Sequence, residues 1–284
     1  MYQRTIGNTI SLKGIGLHSG MYSRLTLKPA PPNFGIVFIR KDVNPAKRID
    51  GLYYNVQNTI LTTALVKDGI EIKTIEHLFS ALAGLSIDNL LIEIEGPEIP
   101  IMDGSSKPFV FAIQSAGIVV QESSRKMVRI KKEITVIEGD KIAKLKPFEG
   151  SKATFEINYN NKFIDSTPQK AVFDASIDSY VHAISRARTF GFEKDVISLK
   201  EKNCILGGSL SNAILVNEDS VLNKDGLRLN DEFVRHKLLD AIGDLYLLGY
   251  QIIGEYYGFK SGHTLNNKLL RALMADHNAW EYIE

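Results

Sequence analysis

The chain has 284 residues, 44% hydrophobic and 24% charged, which is the composition of a water-soluble globular protein and long enough for two cores. Its net charge of +1, from 34 basic and 33 acidic side chains, excludes a general electrostatic attraction to nucleic acid and leaves room for a local basic pocket. A single cysteine, Cys204, rules out an intramolecular disulfide and fits a reducing compartment. The first twenty residues are polar and broken by glycines, unlike a signal peptide or anchor. No stretch reaches the ~18 apolar residues of a spanning helix, so a cytoplasmic location without stable membrane insertion is expected.

In chain order, alternating apolar residues predict strands at 9–12, 22–27 and 35–39, with a proline-rich loop at 29–33. A helix is expected at 74–85, a strand at 89–95, a proline-bounded loop at 96–108 and a helix at 109–116 ended by Gly117. The charged run 121–132 marks the candidate boundary, placing a first domain at 1–122 and a second at 123–284. The second half repeats the order, with strands at 134–138, 141–147 and 153–159, then helices at 176–187, 230–248 and 264–276. Strands followed by helices, twice, predict an α+β duplication.

Three histidines stand in unusual settings. In the segment 230–240, Asn230 reads as an N-cap, and Val234, Leu238, Ile242 and Leu245 form an apolar face. His236 and Asp240 fall opposite that face, one turn apart, where both can reach one metal ion. Taken alone, they read first as a solvated i,i+4 pair. Glu76 and His77 open a helix that is apolar on one side and carries Ser80, Ala81 and Gly84 on the other, a pattern of burial on both sides. Alone, they also read as a polar pair at a frayed helix start. His263 precedes Thr264, read as an N-cap, and needs a carboxylate such as Asp244 to stay protonated. Two histidines, an aspartate, a glutamate and a third histidine make the set of a zinc hydrolase: three ligands, a base and an acid. The H-E-x-x-H pattern is absent. His18, among the glycines of 14–20, reads as structural, and His182, His277 and Cys204 carry no assigned role.

The segments GIGLHSG (14–20), TIEHL (74–78), EIPIMDG (98–104), SRARTFGF (185–192), FVRHKLLDAIGDLYLLG (233–249) and FKSGHTLNN (259–267) together resemble the UDP-3-O-acyl-N-acetylglucosamine deacetylase family over nearly the whole chain. The resemblance implies one zinc ion per chain on His77, His236 and Asp240. It implies Glu76 as general base, His263 as acid oriented by Asp244, and Thr189 as a hydroxyl that polarises the substrate carbonyl. Lys237 and Lys141 are then expected to meet the nucleotide, with Lys260 adding charge for a diphosphate, and Tyr159 to meet the uracil ring where some members carry phenylalanine. The implied fold is two similar α+β domains, helices between two sheets, with the zinc at their junction. An insert at about 189–210 would form an apolar passage for an acyl chain, with Phe190, Phe192, Val196, Ile197, Ile205 and Ala213 as wall candidates. Glu193 departs from an apolar insert position, which bears on the acyl chain accepted. The expected ligand is UDP-3-O-acyl-N-acetylglucosamine, the expected state a monomer, and the chain is expected to lack a regulatory tail and a fused dehydratase domain. Two competing readings are a zinc amidase for a different acylated sugar nucleotide and a non-enzymatic sugar-nucleotide binder.

Overall fold

A computed structural model describes residues 1–176 and 178–284. A five-stranded sheet in the first half runs in the order Ile10–Ile15, Tyr22–Pro29, Leu90–Glu95, Ile36–Arg40, Lys47–Asp50, with only the Leu90–Glu95 and Ile36–Arg40 pair parallel. Its inward residues, such as Leu25, Leu27, Phe38 and Ile92, are fully buried, as the period-two alternation requires. Helix α1 (Glu76–Leu85) packs on this face, with Phe79 stacked on Phe38 at 6.1 Å between ring centroids. Helix α2 (Lys107–Ser115) packs beside it. A small antiparallel sheet of Val56–Asn58, Ala64–Lys67 and Ile70–Ile72 leads into α1.

The second half builds a seven-stranded sheet around Gln251–Phe259, which pairs with Lys141–Lys146, Ser151–Glu156 and Met127–Ile130. Three short helices follow in sequence: α3 (Lys162–Asp165), α4 (Tyr180–Ala183) and α5 (Val196–Glu201). Two long ones, α6 (Glu232–Tyr246) and α7 (His263–Ala275), complete the set. Helix α6 packs on the sheet through Ser151–Glu156 and Gln251–Phe259 and meets α1 on its other side. The expected architecture, α+β with helices between sheets, is present. Among the described residues, no strand ladder joins the chain before residue 125 to the chain after it.

Several local expectations give way. The run 121–132, read as the boundary, holds parts of two strands. Ile118–Ser124 pairs with Tyr2–Ile6 at the N-terminus, and Met127–Ile130 enters the seven-stranded sheet. Its charges hid alternating buried residues, among them Arg125, which pairs with Asp88 at 2.7 Å. The helix expected at 176–187 is reduced to the single turn of α4, and position 177 lies outside the described residues. There the backbone and side chains serve tertiary partners: the Ala187 carbonyl meets His236, and Arg188 grips Glu232. Asn230 does not cap α6; Asp231 holds that place and turns its carboxylate to Arg235 instead. Helix α7 begins at His263 itself, with Gly262 rather than Thr264 in the cap position.

Candidate metal centre and active site

Helices α1 and α6 cross tightly enough that a Cβ on Gly243 would lie 2.1 Å from the Glu76 carbonyl oxygen. Only glycine permits that approach, and it sets the first turn of α1 against the C-terminal half of α6. Glu76 and His77 stand on that turn, while His236, Asp240 and Asp244 stand one helical turn apart along the facing side of α6. All five are buried, so the solvated-face reading of His236 and Asp240 does not hold.

One ligand atom from each of His77, His236 and Asp240 lies within 4.8 Å of the other two. Asp240 Oδ1 is 3.5 Å from His77 Nε2 and 3.3 Å from His236 Nε2. His236 Nδ1 is 3.0 Å from the Ala187 carbonyl, an acceptor, so Nδ1 carries the proton and Nε2 presents its lone pair to the cluster. Burial lowers the His236 pKa to about 3, overcoming the pull of Asp240, and keeps the imidazole neutral. Burial works against the Asp240 anion as well, yet the Lys237 ammonium beside it holds its carboxyl well below the usual range. Asp240 Oδ2 accepts from the Lys237 ammonium at 2.7 Å, whereas Oδ1 is buried with no hydrogen-bond partner among the described residues. A buried carboxylate oxygen facing two imidazoles without a donor is costly unless a cation sits among them. Two nitrogens and one oxygen match an open, three-ligand zinc site.

Glu76 lies beside the cluster. Burial raises its pKa, opposed in part by His263 and His77. Its Oε2 accepts from the Thr63 backbone N–H at 3.0 Å and the Thr62 hydroxyl at 3.4 Å. Its Oε1 stands 3.9 Å from His263 Nε2. His263 Nδ1 donates to Asp244 Oδ2 at 2.9 Å. Burial alone would lower the His263 pKa, but the charge and hydrogen bond of Asp244, with Glu76 behind them, push it up to about 9.

These groups open on a cavity of about 870 Å³ whose lining includes Thr189, Phe190, Tyr159, Lys141, Lys237 and Lys260. Tyr159 packs edge-on to Phe190 at 5.4 Å and against Phe192 at 5.7 Å. The three lysines differ. Lys237 is half-buried and spends its ammonium on Asp240, Lys260 pairs with Asp140, and Lys141 stands exposed at the rim. Phe190, Phe192, Val196, Ile205 and Ala213 contribute to the wall, whereas Ile197 points into solvent, 74% exposed. His18, read as structural, is buried on the cavity lining with Nε2 unpartnered among the described residues. Thr62, Thr63, Asn266 and Glu98 were not singled out in the sequence, because hydroxyls, an amide and a lone carboxylate carry no spacing signal. Glu98 holds the glycine loop in place by accepting from the His18 and Ser19 backbone N–H groups at 2.9 and 2.8 Å.

A family model described as UDP-3-O-acyl N-acetylglycosamine deacetylase matches residues 3–275. The chain belongs to the UDP-3-O-acyl-N-acetylglucosamine deacetylase family. Relatives bearing that name include proteins from Marinobacter nauticus and Hahella chejuensis, each 54% identical over 281 residues, covering 99% of this chain and 92% and 93% of theirs. A third, from Pseudomonas entomophila, is 53% identical over the same length and share of this chain, and 93% of its own. A family match of this extent takes in every segment of the cluster, from TIEHL on α1 to FKSGHTLNN at α7.

Proposed function

We propose that the protein hydrolyses the N-acetyl group of UDP-3-O-acyl-N-acetylglucosamine, giving UDP-3-O-acyl-glucosamine and acetate, an early committed step of lipid A biosynthesis. The observation that carries this reading is the convergence of His77, His236 and Asp240 with Glu76 and His263 at one cavity. In it, His77, His236 and Asp240 would hold one zinc ion. That ion would supply Lewis acidity toward water and the amide carbonyl. Glu76 takes the proton from the attacking water, and burial, which raises its pKa, makes it a stronger base than a solvated carboxylate. His263, kept protonated by Asp244, places positive charge beside the developing oxyanion and hands its proton to the leaving amine. The Thr189 hydroxyl helps to polarise the carbonyl. The proton given up by water and the proton received by the amine balance the cleavage.

The rest of the cavity divides by chemistry. Lys141, Lys237 and Lys260 face the diphosphate, Tyr159 the uracil ring, and Phe190 with the apolar residues of the insert the acyl chain. Residues 1–122 and 123–284 are two domains that form the walls on either side; the strand ladders themselves divide at residue 125, because Ile118–Ser124 stays with the first half. The protein works as a cytoplasmic monomer; no described helix is long and apolar enough to cross a membrane. The test is acetate release from UDP-3-O-acyl-N-acetylglucosamine by the purified chain, before and after chelation and after zinc is restored. Release that stops with chelator and returns with zinc is expected. A chain that binds one zinc yet releases no acetate from any acyl length overturns the substrate.

A further inference from the structure

The proposed base and acid come from different helices, yet one residue on a third segment holds both. Thr63 precedes the strand Ala64–Lys67 and is 1% exposed. Its backbone N–H donates to Glu76 Oε2 at 3.0 Å, and its hydroxyl donates to Asp244 Oδ1 at 2.6 Å. Its carbonyl accepts from the Ile75 N–H, 3.3 Å away, at the entrance of α1. We propose that Thr63 is a positioning residue that sets the spacing between Glu76 and the Asp244–His263 pair, tying the base and the acid into one rigid unit.

The geometry explains why such a tie matters. Each carboxylate has one oxygen turned back to Thr63 and one turned to the reacting groups. With Glu76 Oε2 occupied, Oε1 is left 3.9 Å from His263 Nε2. That separation is too long for a direct hydrogen bond, and it lets one reacting atom lie within bonding reach of both groups. On the other side, Asp244 Oδ1 is held by Thr63, while Oδ2 receives His263 Nδ1 at 2.9 Å and Asn266 Nδ2 at 2.8 Å. Three donors fix the carboxylate plane and so the imidazole. Removing the Thr63 hydroxyl leaves Asp244 Oδ1 buried without its donor and frees the carboxylate to turn. A misplacement of a few tenths of an ångström between acid and base falls on the chemical step, because both must act in one transition state. Thr63 is not among the residues lining the cavity, so ground-state binding of substrate does not depend on it.

The inference rests on the deacetylase reading, and the experiment separates the two. Steady-state acetate release is measured for the zinc-loaded wild type and for Thr63→Ser, Thr63→Cys and Thr63→Val, with zinc content and melting temperature alongside. Thr63→Val, nearly isosteric but without the donor, is expected to lose about 10- to 100-fold in kcat, the effect of one hydrogen bond to a charged group. Its KM should stay within about twofold and its zinc content at one per chain. Serine keeps the hydroxyl and should recover most of the loss, and cysteine, a weak donor of similar size, should fall between. In an Asp244→Asn background Thr63→Val should cost little more, since the hydroxyl acts through that carboxylate. Should the valine variant fail to fold, the serine–cysteine difference carries the same test. Undiminished kcat in valine or cysteine overturns the proposal, as does a serine variant as slow as valine. Loss of zinc and KM together with kcat would reduce Thr63 to a structural residue and overturns it equally. A wild type that releases no acetate overturns the deacetylase reading, and the inference with it; an active wild type with indifferent variants overturns the inference alone.

Discussion

His263 carries a charge that two influences contest. Its side chain is nearly buried, which favours the neutral ring, but Asp244 bonds Nδ1 and Glu76 faces Nε2, and together they raise the pKa to about 9. If His263 delivers the proton to the leaving amine, the rate of acetate release should fall as pH rises through about 9, and should not fall there for want of the acid at lower pH. Linkage has the same sign. A histidine whose folded pKa lies above its unfolded value, about 6.5, contributes stability fully present below 6.5 and lost as pH rises through about 9. Asp244→Asn removes the largest raising influence, so burial then dominates and the alkaline limb should move to lower pH. A pH–rate profile of both proteins checks this, and an Asp244→Asn limb at the wild-type position would remove Asp244 from its role. The pairing of His263 with Asp244 was legible in the sequence, because Asp244 lies one turn beyond Asp240 on a periodic helix. The contribution of Thr63 was not, since a threonine before a short strand looks the same whether its hydroxyl meets water or a buried carboxylate.

At the scale of elements, the site depends on how closely α1 and α6 cross. Gly243→Ala tests this with opposing effects of known size. Alanine in a helix interior gains about 1 kcal/mol over glycine. The added Cβ would stand 2.1 Å from the Glu76 carbonyl oxygen and 3.0 Å from the Ser80 amide, both backbone atoms that cannot turn aside. Overpacking of that kind costs about 1–3 kcal/mol or more, so the crossing loses: the variant should melt lower by several degrees and lose activity as Glu76 shifts from Asp244. An equal or higher melting temperature, read by thermal or urea unfolding, would mean that the helices separate freely and that the close approach is incidental. Periodicity made both long helices readable, together with strands such as 22–27 and 134–138, because burial of one face writes itself into the sequence. It failed where long-range partners decided. The N-terminal strand Tyr2–Ile6 exists through its pairing with Ile118–Ser124, and the segment after α4 unwinds so that Ala187 and Arg188 can serve His236 and Glu232. Neither partner lies within a window that a pattern search covers.

In the whole molecule, the candidate metal cluster draws on both halves of the chain, His77 from the five-stranded side and His236 with Asp240 from the seven-stranded side. The unfolded chain cannot hold these ligands together, so a cation bound there stabilises only the folded state. A site with free zinc about 100- to 1,000-fold above its dissociation constant gains about 3–4 kcal/mol, which for a chain of this size is roughly 10 °C. Chelation should therefore lower the melting temperature by that order, and added zinc should restore it. The cost without metal has a local origin: Asp240 Oδ1 remains buried among two imidazoles with no donor among the described residues. His77→Ala supplies the control. It removes the ligand proposed from the first half, so its melting temperature should respond to neither chelator nor zinc, while Thr189→Ala, outside the cluster, should respond as the wild type does. Calorimetry of the three proteins, each with chelator and with zinc, decides the matter. A wild type indifferent to both would mean that the halves are held by the α1–α6 contact alone and that His77, His236 and Asp240 bind no structural cation. A His77→Ala variant that still responds would place the metal elsewhere.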